Sequence, residues 1–236
     1  MNYEKTNSMT KEELTHVILG KQLICDFDSK DFVDWAVTIM QQGYESDNLF
    51  ILAGLDYERT EVREKYFYDS IRDLKIDINK TNQELIEIYA KSVAEKAVNN
   101  EIDIEYAFRK MCTITCETDY DRRYIGFYII EEDLECLEYG NRTCFTTDLT
   151  LDNYKEYIKN EFQIFLEMFE VTIPDTEKDK CYCTDCESLI RIKAEVRYQL
   201  KQPFKYETNV CENCGSENLK YPEDQITKKK LIEKYR

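Results

Sequence analysis

The chain has 236 residues with 32 basic and 48 acidic side chains, a net charge of −16 and a mean hydropathy of −0.62. That is enough chain for one substantial domain and a small one, and the acidic balance disfavours a polyanion-binding body. The longest apolar run, about seven residues around Tyr124 to Ile130, is far below the ~20 a membrane helix needs, and the first residues have no signal-peptide core. A soluble, cytoplasmic protein is expected, in which ten cysteines serve as metal ligands and buried thiols rather than disulfides.

Up to residue 173 there is no proline and there are only five glycines, and the apolar residues recur at helical spacing. A mainly α fold follows, with an acidic helical domain over 1–172. The first helix is expected from a Thr10 cap, with Glu12 and Glu13 in its first turn, to near Gly20. Ser29 caps the second, Asp31 to Gln42, with Phe32, Trp35, Ala36 and Ile39 on one stripe and Gly43 as its stop. A short third helix runs from Ser46 to Leu55. A fourth covers 58–75, a fifth starts at Thr81 or Asn82 and reaches Val98, and a sixth spans Asp103 to Thr115. Cys112 and Cys116, four apart, are expected on one core-facing side of it.

Residues 117–148 are the least readable: Tyr124, Phe127, Tyr128 and Ile129 suit a helix or a strand, and Asn141 to Thr147 reads as extended. A last long helix is expected from Thr150 to Glu170. Pro174 and the charged run Asp175 to Lys180 read as a linker, so the second domain is placed at 173–236. The last 64 residues hold 13 basic and 12 acidic groups, which leaves 19 and 36 for the first 172, a net charge of −17.

That second domain carries the strongest signal in the chain. Cys183-Thr-Asp-Cys186 and Cys211-Glu-Asn-Cys214 have the spacing of two metal knuckles, in which each pair of sulfurs turns toward one ion. Gly215 follows the second knuckle, where a positive φ is commonly needed. So small a unit buries too little surface to stand alone, and structural Zn²⁺ held by Cys183, Cys186, Cys211 and Cys214 would stabilise it. Four thiolates leave no open position for catalysis. Cys181 sits at the wrong spacing and reads as a spare thiol, with replacement of Cys183 as the alternative. Leu189 to Arg197 and Phe204 to Val210 read as antiparallel strands, and Lys228 to Arg236 as a solvated basic tail or a short helix.

Catalytic motifs are missing. The single histidine, His16, lies among apolar neighbours, and there is no GxSxG, GxxxxGK[ST] or GxGxxG pattern. Among 48 acids, a cluster such as Glu131-Glu-Asp133 with Glu135 is unremarkable, so no enzyme is expected. Arg191, Lys193, Arg197, Lys201 and Lys205, interleaved with Tyr198, Phe204 and Tyr206, could face a nucleic acid or simply solvent.

The segment Cys183–Cys214 resembles zinc-ribbon domains. More weakly, Asp31-Phe-Val-Asp-Trp-Ala, Gln42-Gly-Tyr-Glu-Ser, Leu49-Phe-Ile-Leu-Ala-Gly-Leu55 and Asp133-Leu-Glu-Cys-Leu-Glu-Tyr-Gly140 resemble a helical pattern of uncharacterised bacterial proteins, some of them toxin-immunity partners. That resemblance covers about residues 30–170 and implies a protein-binding role without catalytic residues. The expectation is a non-catalytic, zinc-binding interaction protein with a basic protein partner, of immunity or regulatory type. The alternative is a transcription-associated factor that binds nucleic acid through Arg191, Lys193, Arg197 and Lys205.

Overall fold

A computed structural model describes residues 9–25, 27–140 and 142–236. The fold is mainly α with a small antiparallel β part. Eight helices come first among the described residues: α1 Lys11–Gln22, α2 Lys30–Gln41, α3 Asp47–Ala53, α4 Thr60–Asp73, α5 Asn82–Val98, α6 Ile104–Glu117, α7 Ile125–Gly140 and α8 Tyr154–Glu170. They are followed by β1 Cys181–Cys183, β2 Ser188–Ile190, β3 Ile192–Tyr198, β4 Lys205–Cys211, β5 Leu219–Lys220 and α9 Gln225–Tyr235. The chain divides into two compact units, 1–93 and 94–236. The boundary expected at 172/173 therefore falls inside the second unit, which holds the later helices together with all the strands.

In the first unit, Thr10 and Glu13 form a reciprocal capping box at the start of α1, which satisfies two otherwise unpaired backbone donors. The helix continues past Gly20 to Gln22. Gly20 is a point of close approach: a Cβ there would lie 2.1 Å from the Leu85 carbonyl oxygen of α5. The core is built on α2 and α4, where Phe32 and Phe67 stack at 4.2 Å and Trp35 meets Phe67 edge-on at 4.8 Å. The indole N–H of Trp35 donates to the Thr15 hydroxyl at 3.1 Å, so its polar tip is paired inside the core. Ser29 does not cap α2 with its side chain. Its hydroxyl instead accepts from the Arg63 guanidinium at 2.9 Å and meets the Thr60 hydroxyl at 3.1 Å. Arg63, 9% exposed, also donates to the Leu55 and Asp56 carbonyls, so a buried cation ties α4 to the turn after α3.

In the second unit, α6, α7 and α8 pack around Tyr124, Phe127, Phe162 and Phe165, with Phe127 at 4.8 Å from Phe162 and 5.8 Å from Phe165. The ambiguous stretch after 124 is thus helical. Its pattern was hard to read because its buried positions, Gly126, Phe127, Ile130 and Asp133, include a glycine and a carboxylate. Residues 142–153 form bends and turns rather than an extended strand, and Asn141 lies outside the described residues. Cys112 is buried but Cys116 is exposed: four helical residues advance about 40° past a full turn, which carries Cys116 off the packed side of α6.

Two expectations for the C-terminal part are corrected. The 175–180 run is not an open linker, since Glu177 pairs with both Lys180 and Lys234, and Arg122 with Asp179. The C-terminus is not a solvated tail. It forms α9, capped by the Asp224 carboxylate on the Ile226 N–H, with Leu231 and Ile232 each 2% exposed. Lys228 of α9 pairs with Glu161 of α8 at 2.5 Å, and Gln225 donates to the Tyr157 carbonyl at 2.9 Å. An apolar pair and a buried counter-charge on α8 dock a helix whose other face is basic.

Candidate metal centre

The strands make two separate sheets. One has the order β2-β1-β5, all antiparallel; the other is the β3–β4 hairpin, paired from Ile192↔Cys211 to Tyr198↔Lys205. The expected strand from Leu189 to Arg197 breaks at Arg191, whose backbone N–H turns to the Glu212 carboxylate at 3.1 Å. The break lets one continuous segment serve both sheets. Cys183 ends β1 and Cys211 ends β4, so both CxxC pairs begin on strands and finish in turns.

These turns bring Cys183, Cys186, Cys211 and Cys214 together, with all four sulfurs within 4.8 Å of one another. Cys183 and Cys214 lie 3.6 Å apart, as do Cys186 and Cys211. A tetrahedral ion with bonds of about 2.3 Å needs sulfurs separated by about 3.8 Å. The geometry therefore fits one metal ion on four sulfurs. Cys183 and Cys211 are buried, Cys186 is half-buried and Cys214 is exposed, which leaves a solvent path to the site.

Each knuckle ends on a left-handed residue: Glu187 at φ 52° and Gly215 at φ 73°. Only glycine takes that conformation at little cost, so the second knuckle matches its sequence and the first carries local strain. Backbone donors prepare the sulfurs. Burial opposes ionisation of Cys211, but the N–H groups of Cys214 and Asn213 point at its sulfur and bring the thiol down to about 7. Cys214 receives the Ser216 N–H, which lowers its pKa, yet partial desolvation and the neighbouring thiols Cys211, Cys183 and Cys186 push it up to about 12. Four crowded thiols cannot all ionise without a cation. A bound ion would stabilise the thiolates together.

Cys181 is 2% exposed in β1, outside the four-sulfur group, and burial pushes its thiol up to about 11. Four residues that spacing did not single out stitch the knuckles together. The Asp185 carboxylate accepts from the Ser216 hydroxyl at 2.6 Å and from the Asn218 amide at 3.0 Å, and these bonds lower its pKa. Thr184 N–H donates to the Asn218 carbonyl at 3.1 Å. Short polar side chains around a CxxC turn were the available signal, since such residues habitually bond nearby backbone.

The basic residues do not form one surface. Lys193 and Arg197 share a face of β3 with Glu195, while Lys205 lies opposite Tyr198 on the other face. Arg197 is engaged by Glu217 and by the Gly215 carbonyl at 2.9 Å, which moors the hairpin to the second knuckle. The remaining face carries Ile192, Val196 and Tyr198 and leads to Leu200 and Phe204 at the tip, with Tyr198 77% and Leu200 99% exposed. Elsewhere, His16 meets the Asp77 carbonyl at 2.8 Å. A cavity of about 460 Å³ beside α8 and α9 is lined by Ile164, Phe165, Phe169 and Leu231. Its cations Arg122, Arg123, Lys178 and Lys228 are held by Asp179, Asp121, Asp175 and Glu161 respectively.

No protein-family model matches the chain, and no curated protein or solved structure matches it either. The resemblance of residues 30–170 to immunity-type proteins gains no support from these comparisons.

Proposed function

We propose that the protein is a non-catalytic interaction protein in which a structural zinc ion, on Cys183, Cys186, Cys211 and Cys214, staples a ribbon that presents the β3–β4 hairpin to a protein partner. The observation that carries this reading is the group of four sulfurs within 4.8 Å of one another, two pairs of them at 3.6 Å. All-thiolate shells of this kind are closed structural sites, and zinc is the ion that suits them. The hairpin supports the docking role. A two-stranded ribbon is marginal in water by itself, and this one is anchored at its base while its Ile192, Val196, Tyr198 and Leu200 side chains are exposed. The −17 charge of the first 172 residues favours a partner of opposite sign, and an immunity-type role against a basic protein is the specific form of that reading.

Metal analysis and zinc-edge X-ray absorption on the purified protein test the centre. One zinc per chain with four sulfur neighbours is expected. A nitrogen or oxygen donor in the shell, or a folded ribbon without metal, overturns the reading. A second reading, nucleic-acid binding, is favoured by exposed Tyr198 and Phe204 beside Lys201 and Lys205. Low-salt band shifts decide it: no shift at 10–100 µM protein, on the order of ordinary non-specific affinity, removes it.

A further inference from the structure

Outside the ribbon, a second pair of sulfurs lies closer together than either cross-knuckle pair of the four-cysteine cluster. Cys136, in the last turns of α7, and Cys144, in the loop that follows, have their Sγ atoms 3.0 Å apart. The nearest cross-knuckle sulfurs stand at 3.6 Å. A tetrahedral metal would hold two sulfurs at about 3.8 Å, so this pair is too close to share one. It is about 1 Å wider than a disulfide bond.

The fold brings the two thiols together through Asp133, which is fully buried. Its carboxylate accepts three backbone N–H groups, from Cys144 at 2.6 Å, Phe145 at 2.9 Å and Thr146 at 2.6 Å. Asp133 and Cys136 are three apart on a helix and so share a side. Winding the loop around the Asp133 carboxylate therefore sets Cys144 over Cys136. The thiols are also reachable, since Cys144 is exposed and Cys136 half-buried.

We infer that Cys136 and Cys144 are a thiol–disulfide site, distinct from the metal centre, that closes when it meets a low-molecular-weight disulfide of the glutathione class. In the first step the Cys144 thiolate attacks one sulfur of the small disulfide. A mixed disulfide forms on Cys144 and one small thiolate leaves. Cys136 then gives up its proton and attacks the Cys144 sulfur, which forms the intramolecular bond and releases the second small thiol. Two protein thiols lose two electrons and two protons, and one small disulfide becomes two thiols. Cys144 is the first attacker because the hydrogen that Cys136 shares with it pushes the Cys136 thiol up to about 11. The loop so closed reaches the ribbon: Thr147 and Asp148 meet Lys220 of β5, and β5 pairs with the cysteine-bearing β1.

Trypsin tests this directly, because Arg142 lies between the two cysteines. Metal-loaded, full-length protein is treated with oxidised glutathione, alkylated, digested and weighed. The expected product is peptide 124–142 joined to peptide 143–155, lost on reduction and absent in Cys136→Ser, where Cys144 carries a glutathione adduct instead. Separate peptides in the wild-type digest, each alkylated or glutathionylated, overturn the assignment. So does linkage of either cysteine to any other.

Discussion

Replacing Lys228 by methionine tests whether α9 is held by charge as well as by apolar contact. The Lys228 and Glu161 side chains are 15% and 5% exposed and meet at 2.5 Å. The α7 backbone closes over them, since a Cβ on Gly126 would lie 2.2 Å from the Glu161 carboxylate and 2.5 Å from the Lys228 ammonium. Methionine retains the apolar stem and removes the charge, which leaves a buried carboxylate without its counter-ion. Removing one partner of a buried pair costs about 3–5 kcal/mol, against about 0.2–1 kcal/mol for an exposed pair. With Lys228 still 15% exposed, a loss of about 3 kcal/mol is expected. The double variant Glu161→Leu/Lys228→Met should recover most of it, because a matched apolar pair leaves no charge behind. Urea unfolding followed by far-ultraviolet circular dichroism measures both. A loss below about 1 kcal/mol for the single variant, or no recovery in the double, refutes the buried-pair account.

Three other outcomes are expected. Cys183→Ser should lose stoichiometric zinc while Cys181→Ala retains it, and metal titration with a colorimetric chelator distinguishes the two. Glu187→Gly should stabilise the first knuckle by about 0.5–1 kcal/mol by relieving a left-handed residue; slower release of metal to a chelator and a raised unfolding midpoint would show it. Asp69 titrates below the ordinary aspartate range because Lys65, first, and then Arg72 hold its carboxylate. Its contribution is therefore present above about pH 4 and is lost as pH falls through the depressed value. Trp35 fluorescence reports on the core beside α4, and Asp69→Asn should flatten its acid-unfolding profile. An unchanged profile would contradict the assignment.

Local chemistry in the chain was enough to define the capped helices and the four-cysteine cluster. Thr10, Ser46 and Asp103 cap helices because their side chains reach the free N–H groups a few residues on, and that reach depends on neighbours in sequence alone. The same holds for a CxxC turn, where two residues of spacing place two sulfurs together. Tertiary structure decided what depends on distant partners. Ser29 bonds the buried Arg63 instead of capping, and α9 docks through Leu231, Ile232 and Lys228, whose counter-charge Glu161 lies 67 residues earlier. Asp133 disguised the inner face of α7 because its three donors lie 11 to 13 residues away in a loop with no periodicity. A capping bond or a knuckle is encoded within one turn of chain. The worth of a buried charge is set by whatever the fold brings beside it, and no local pattern carries that information.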